Sequence, residues 1–510
     1  MTAGGVAANL GGVALFALPG LGLAEILGLA RRLSWPHRLA YAYLLGVPAA
    51  AGALFAASHL AGVPLRRPAI VAAVVAPAIL GLAAWIMRRR RGAAAARGRH
   101  APGTGQMDLD APAAEHRDAA ATERRDAGSA PASGRRDGGS APAGRRRWRW
   151  VVALAITAGA AVVAVVLGPL VSALISPLAD WDGRMTWVPL GAHLRHEGTV
   201  DAEVLRDPRW FEMHPRYPPL LPLAQAIVQE ALGAGDDDQF YRGLYVAFLA
   251  ALLLVVHDGA RRAAGRLPAA ATVLSVATIP FLSYGAGGAT SAYSDMPLAA
   301  LYGGALVLLL TRRATAAAGL AAGILLGGAI LAKNEGGLLA AAALLVAASR
   351  LFAPGGRRLL LLWFGAAALP ALAAAALLAS WRAAIPNRDD EGYFAALNLA
   401  TLAHGAVTRL PWIAGQALRL AFDGSWLGFW LAFAAVLLAG RRELRQPVAW
   451  RLLLAGLAPP AVGFAAYAVS SRLPALLPET WHRFLLQALV PLAVTFACAL
   501  GGVLRQLRPR

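Results

Sequence analysis

The chain has 510 residues, of which 58% are hydrophobic and only 15% charged, with a mean hydropathy of +0.54. A soluble domain is nearer half apolar and a quarter charged, so that class is excluded. The formal net charge of +20 does not point to nucleic acid, because most of the arginines sit in short loops between apolar runs, where they act as topology signals.

Apolar runs fall near 6–30, 39–62, 69–87, 151–176, 241–257, 268–284, 296–311, 314–331, 336–350, 358–380, 424–440, 449–470 and 484–504. Roughly 17–25 apolar residues suffice to cross a bilayer as a helix. Continuous Ala/Leu/Val runs exclude a barrel, which alternates polar and apolar positions. The expected fold is an all-α polytopic membrane protein of about thirteen transmembrane helices, with a large extracytoplasmic loop containing short interfacial helices. The first run lacks basic residues ahead of it and a convincing cleavage site, and is read as a retained span. The one cysteine, Cys498, lies in the last run, which excludes an intrachain disulfide.

Three runs occupy residues 1–87 and ten occupy 150–505. Between them, 88–149 is rich in Ala, Gly, Arg, Asp and Pro; it cannot bury enough surface to fold and is expected to be a disordered cytoplasmic linker. Basic residues follow every odd-numbered run: Arg31 and Arg32, Arg88 to Arg91, Arg261 and Arg262, Arg312 and Arg313, Arg357 and Arg358, Arg441 and Arg442, and finally Arg505. Strict alternation puts all of them on one side, which is then cytoplasmic, with the N-terminus outside and the C-terminus inside.

The acids lie on the other side. Of 28 Asp and Glu residues, 11 fall in the loop 177–240, which is too long for a simple connector. Within it "MTWVPLGAHL" and "PPLLPLAQAIVQEAL" read as short surface helices, and Trp181, Trp187 and Trp210 suit a membrane interface. The loop opens on "SPLADWDGRMTW". Asp180 and Asp182 there stand at a lipid–water edge, where a carboxylate can act as a general base or hold a divalent cation. The chain's sole lysine, Lys333, stands in "LAKNEGG" between two runs. Charge at membrane depth points to function; the alternative is a capped turn in which Lys333 and Glu335 neutralise each other. "GAGGATS" offers either backbone donors for a phosphate or a site of close helix packing. "NRDDEGYF", 387–394, adds an outer acidic patch.

Taken in order, "DWDGRMTWVPLGAHLRHEG", "HPRYPPLLPLAQA", "SAYSDMPLAALY", "LAKNEGGLL" and "ETWHRFLLQALVPLA" resemble bacterial members of the GT-C glycosyltransferase superfamily, related to protein O-mannosyltransferases and lipid A aminoarabinose transferases. The resemblance covers roughly residues 150–505. It implies an inner-membrane enzyme that takes a sugar from a polyprenyl-phosphate donor and passes it, with inversion, to an extracytoplasmic acceptor: a glycan, lipid or protein of the cell envelope. The family's loop carboxylate matches Asp180 and Asp182, with Asp182 preferred as base, and its second acid matches Asp295. The leaving phosphate needs cations or hydrogen-bond donors; Lys333, Arg483, His482 and Arg184 are the candidates. Glu335, His214 and Tyr217 are candidates for the substrate cleft. The resemblance fixes no cofactor; a divalent cation, magnesium or manganese, would fall to Asp180 and Asp182. The expected partners are the lipid-linked donor, the acceptor and the bilayer, and no nucleic acid. A secondary transporter or flippase is the rival reading. Transporters favour internal repeats and mid-membrane ionisable groups, whereas here no repeat is evident and these groups gather at run ends.

Overall fold

Lipid offers the backbone no hydrogen-bond partner, so each apolar run must close its bonds internally. Each becomes a helix. The computed structural model describes residues 3–99, 142–233, 235, 237–352, 356–386, 398–470 and 473–507. In chain order the helices are α1 (Ala3–Ile26), α2 (Trp35–Ala61), α3 (Arg67–Arg99), α4 (Pro142–Ile175), α5 (Val188–Glu197), α6 (Leu220–Leu232), α7 (Gly243–Ala264), α8 (Arg266–Ala277) and α9 (Pro280–Tyr284). They continue with α10 (Asp295–Thr311), α11 (Ala316–Ala332), α12 (Gly336–Ala348), α13 (Arg357–Ala383), α14 (Leu399–Ala421), α15 (Phe429–Ala439), α16 (Pro447–Val469) and α17 (Leu473–Gln506). Among the described residues there is no strand. The chain is an all-α polytopic membrane protein: among the described residues eight helices are long and apolar enough to cross a membrane, and six shorter apolar helices, α10 and α11 among them, accompany them.

The chain divides into two compact units, Met1–Ala84 with Leu154–Arg510, and Trp85–Ala153. In the smaller unit, helix α3 continues to Arg99 and α4 starts at Pro142, so the stretch 88–149, expected to be a linker, is helical at both ends. Alanine and arginine are strong helix formers, and a helix nucleated in an apolar run carries on through them. Residues 100–141 lie outside the described residues.

In the larger unit, α10 is buried on every side from Asp295 to Leu310, packed by α7, α11, α17 and α2. A helix apolar all round belongs at the centre. Small residues let the helices approach: Gly319 and Gly323, four apart on α11, face α13. A Cβ on Gly319 would lie 2.1 Å from the Trp363 carbonyl oxygen, and one on Gly323 2.5 Å from that of Ala367. Outer faces of α13 and α14 expose Leu359, Leu369, Leu372, Leu399 and Val407, as lipid contact requires.

The run 268–284 breaks into α8 and α9, and two further helices depart from the run pattern. Helix α14 lies where no run was expected, because His404, Arg409 and Arg419 break its hydropathy. Helix α17 begins at Leu473, well before 484, taking in Glu479, His482 and Arg483. Its 34 residues span about 51 Å. In the loop 177–240, both expected surface helices form, as α5 and α6, preceded by a π-turn over Gly183–Trp187. Trp181 and Trp210 are exposed; Trp187, expected at the interface, is instead buried against Tyr217 with ring centres 5.5 Å apart.

At the C-terminal ends of α7 and α10 the basic loops gather around one acid. Asp258 is fully buried and meets Arg312 at 2.7 Å, Arg262 at 3.0 Å and Arg261 at 4.0 Å. The Tyr41 hydroxyl donates to it at 3.4 Å. Beside it His37 and His257 stack and share a hydrogen bond of 2.9 Å. Arg350 caps the Arg312 carbonyl at 3.2 Å.

Candidate functional site

The opposite end of α10 opens on Asp295, in a first turn where the helix dipole favours an anion. Asp295 is 1% exposed. Its Oδ1 accepts from Lys333 Nζ at 2.7 Å and from Gln487 Nε2 at 2.9 Å. Lys333 follows the last residue of α11, so the turn into α12 presents its amine to α10; it also reaches Glu335 at 3.3 Å. Burial works against the Lys333 ammonium, but Asp295 and Glu335 outweigh it and hold its pKa above the ordinary lysine value.

Arg483 and Gln487 are four residues apart on α17 and share one face. Arg483 Nη1 lies 2.8 Å from Asp182 Oδ2, and its guanidinium sits 4.6 Å from the centre of the Tyr293 ring. The Tyr293 hydroxyl accepts from the Asp182 backbone N–H at 2.9 Å. Burial pushes the Tyr293 hydroxyl up to about 12, so it stays protonated. The segment after α4 is thereby tied to α10 and α17. Asp182 itself is a third exposed (32%), in contrast to Asp295.

Asp180 is half-buried, and that burial holds its carboxyl above the usual carboxylate range although the Arg242 guanidinium pulls the other way. Arg242 donates to the carbonyls of Ser176 and Thr290, joining the end of α4 to the glycine loop before α10. In that loop Gly287 has φ +102°, and a Cβ there would stand 3.1 Å from Asp295 Cβ and 3.5 Å from Arg483 Cγ. The "GAGG" segment thus lies against the acid and the arginine, where only a glycine fits.

The remaining expected residues fall around this cluster. Glu335 is partly buried beside Lys333. His214 takes a left-handed φ of 49° and stacks on Tyr217 at 4.7 Å. Arg382, from α13, donates to the Arg216 carbonyl at 2.9 Å and to the Asn334 side chain, joining the His214–Tyr217 loop to the lysine turn. Arg184 is exposed, and its backbone N–H bonds the Asp180 carbonyl at 3.1 Å. His482 turns elsewhere: it accepts from Trp426 Nε1 at 2.9 Å and lies 3.2 Å from Asp423. One residue along a helix is about 100° of rotation, so His482 and its neighbour Arg483 cannot face the same group. The patch 387–394 lies outside the described residues.

Tyr293, Gln487, Arg242 and Arg382 join the site without having been singled out. Gln487 carried a readable signal, since an amide one turn after Arg483 interrupts an otherwise apolar run. Among the described residues no three His, Cys, Asp or Glu side chains converge as a metal ion would require. Asp182, one of the pair to which a cation would fall, faces Arg483 instead.

No family model matches the chain, and no curated protein does. A solved structure of the archaeal oligosaccharyltransferase AglB from Archaeoglobus fulgidus, in complex with an inhibitory peptide and a dolichol-phosphate, is similar at 15% identity and a TM-score of 0.44. The match covers 71% of this chain and 51% of that one. The chain therefore spans about half the length of that protein. A likeness of this size carries no functional weight, which has to come from the side chains.

Proposed function

We propose that the chain is a membrane glycosyltransferase that moves a sugar from a polyprenyl-phosphate donor to an extracytoplasmic hydroxyl, with inversion. The observation that carries this reading is the pairing of Asp182, a third exposed, with Arg483, which also lies within electrostatic reach of the buried Asp295–Lys333 pair. Placed with its basic loops in the cytoplasm, the bundle turns this cluster outward, level with the headgroups of a lipid-linked donor.

In the reaction the acceptor oxygen attacks the anomeric carbon from the face opposite the phosphate. The carbon–oxygen bond to the phosphate breaks, its electron pair leaves on polyprenyl phosphate, and the hydroxyl proton passes to Asp182. A single displacement inverts the centre through an oxocarbenium-like transition state. Arg483 suits the phosphate because a guanidinium offers two parallel N–H donors. As the phosphate draws Arg483, the Asp182 carboxylate is released from that ion pair and can turn to the acceptor hydroxyl. Lys333, fixed by Asp295 and Glu335, adds a point charge from behind, and the protonated Tyr293 hydroxyl is free to donate.

The test is transfer by the purified protein in nanodiscs, supplied with synthetic polyprenyl-phosphate sugars and read by release of polyprenyl phosphate. Release that depends on an added hydroxyl acceptor is the expected result. Movement of a solute across liposomes with every donor left intact would replace the enzyme by a transporter.

A further inference from the structure

Far from this cluster, at the end of the bundle where the basic loops gather, a groove of about 660 Å³ runs along the outer face of α13. Arg357 and Arg358 head it, Leu361, Gly365 and Leu369 floor it, and Ala316 of α11 closes one side. From Arg357 to Leu369 is twelve helical steps, or about 18 Å. Half the hydrocarbon core of a bilayer is about 15 Å, so the groove reaches from headgroup level to the midplane.

Its two ends differ in chemistry. Arg357 and Arg358 are exposed and make no ion pair or side-chain hydrogen bond among the described residues. No side chain caps the first turn of α13 and no acid stands in it, so the helix dipole adds to the same positive end. Below them the floor is apolar and keeps space open: a Cβ on Gly365 would meet nothing within 4 Å. A cationic head over an acyl-length apolar slot on a lipid-facing helix complements one kind of molecule. The geometry points to a binding site for a single anionic phospholipid of the bilayer, its phosphate on Arg357 and Arg358 and one acyl chain along Leu361, Gly365 and Leu369. The site is independent of the transfer reaction.

The full chain in detergent, titrated with short-chain phosphatidylglycerol or phosphatidylcholine and followed by native mass spectrometry, tests this. The wild type should hold one phosphatidylglycerol in preference to phosphatidylcholine. Arg357→Ala with Arg358→Ala should weaken phosphatidylglycerol about thirtyfold and leave phosphatidylcholine unchanged, while Arg357→Lys with Arg358→Lys keeps the preference. Gly365→Phe should fill the slot and weaken both lipids; because its side chain meets open space, the melting temperature should hold. Equal lipid binding by wild type and both disabling variants overturns the site. So does a photocrosslinker at position 365 that captures a second copy or another protein in place of lipid.

Discussion

Asp258 and Asp295 are both buried acids held by cations, near opposite ends of the same helical core, yet their surroundings differ. Around Asp258, Arg312, Arg262, Arg261 and Tyr41 all point inward, and the stacked His37 and His257 lie beside it. Around Asp295, by contrast, Lys333 and Gln487 hold the carboxylate while Arg483 leads outward to the partly exposed Asp182. A buried ion pair is therefore no sign of chemistry by itself, since both ends have one. Access separates them. The first cluster ties helices together; the second ends on a carboxylate that a substrate can reach.

Substitutions can break or sharpen that contrast. Asp182→Asn should lower transfer by about 10²–10⁴ with an unchanged melting temperature; transfer at the wild-type rate would remove Asp182 as base. Asp258→Ala should cost about 3–5 kcal/mol of stability, seen as a lower melting temperature and yield, while turnover per folded molecule holds. A fall in turnover of the folded fraction would make that cluster part of the site. Lys333→Met should lose both stability and donor affinity, because Asp295 keeps only the Gln487 hydrogen bond and the more distant charge of Arg483. Adding Asp295→Asn should restore the melting temperature without restoring the donor KM; recovery of both would reduce the pair to another clamp. The smallest effect belongs to Asp180→Asn. Burial raises the Asp180 carboxyl, so its anion is a mild burden on the fold that grows as pH rises through its folded pKa. The amide removes that burden, so the variant should melt no lower than wild type at neutral pH, and the difference should vanish in acid.

Much of this was legible in the sequence because hydrophobic length reports bilayer crossing directly. Asp182, Asp295, Lys333 and Arg483 each stood out as charges at the ends of apolar runs, and the structure joins them through contacts as short as 2.7 Å. What escaped was rotation about helix axes. Arg483 and His482 are neighbours in sequence, yet one faces Asp182 and the other Asp423. Gln487 escaped because a neutral amide hardly dents hydropathy, although it lies on the Arg483 face. Helix α14 escaped for the opposite reason: its charges masked a helix whose inner face, with Ile413 and Ala417, is buried. Arg382 could be assigned only once Asn334 and the Arg216 carbonyl were seen side by side.

Lys333 is the chain's only lysine, and it lies buried between Asp295 and Glu335. Amine-directed acylating reagents need a neutral, reachable nitrogen, so the closed pocket protects the one side chain they can attack. Any event that swings Asp295 away or opens the turn uncovers that nitrogen. Acylation kinetics at a single native residue would then time the pocket's breathing without an engineered label.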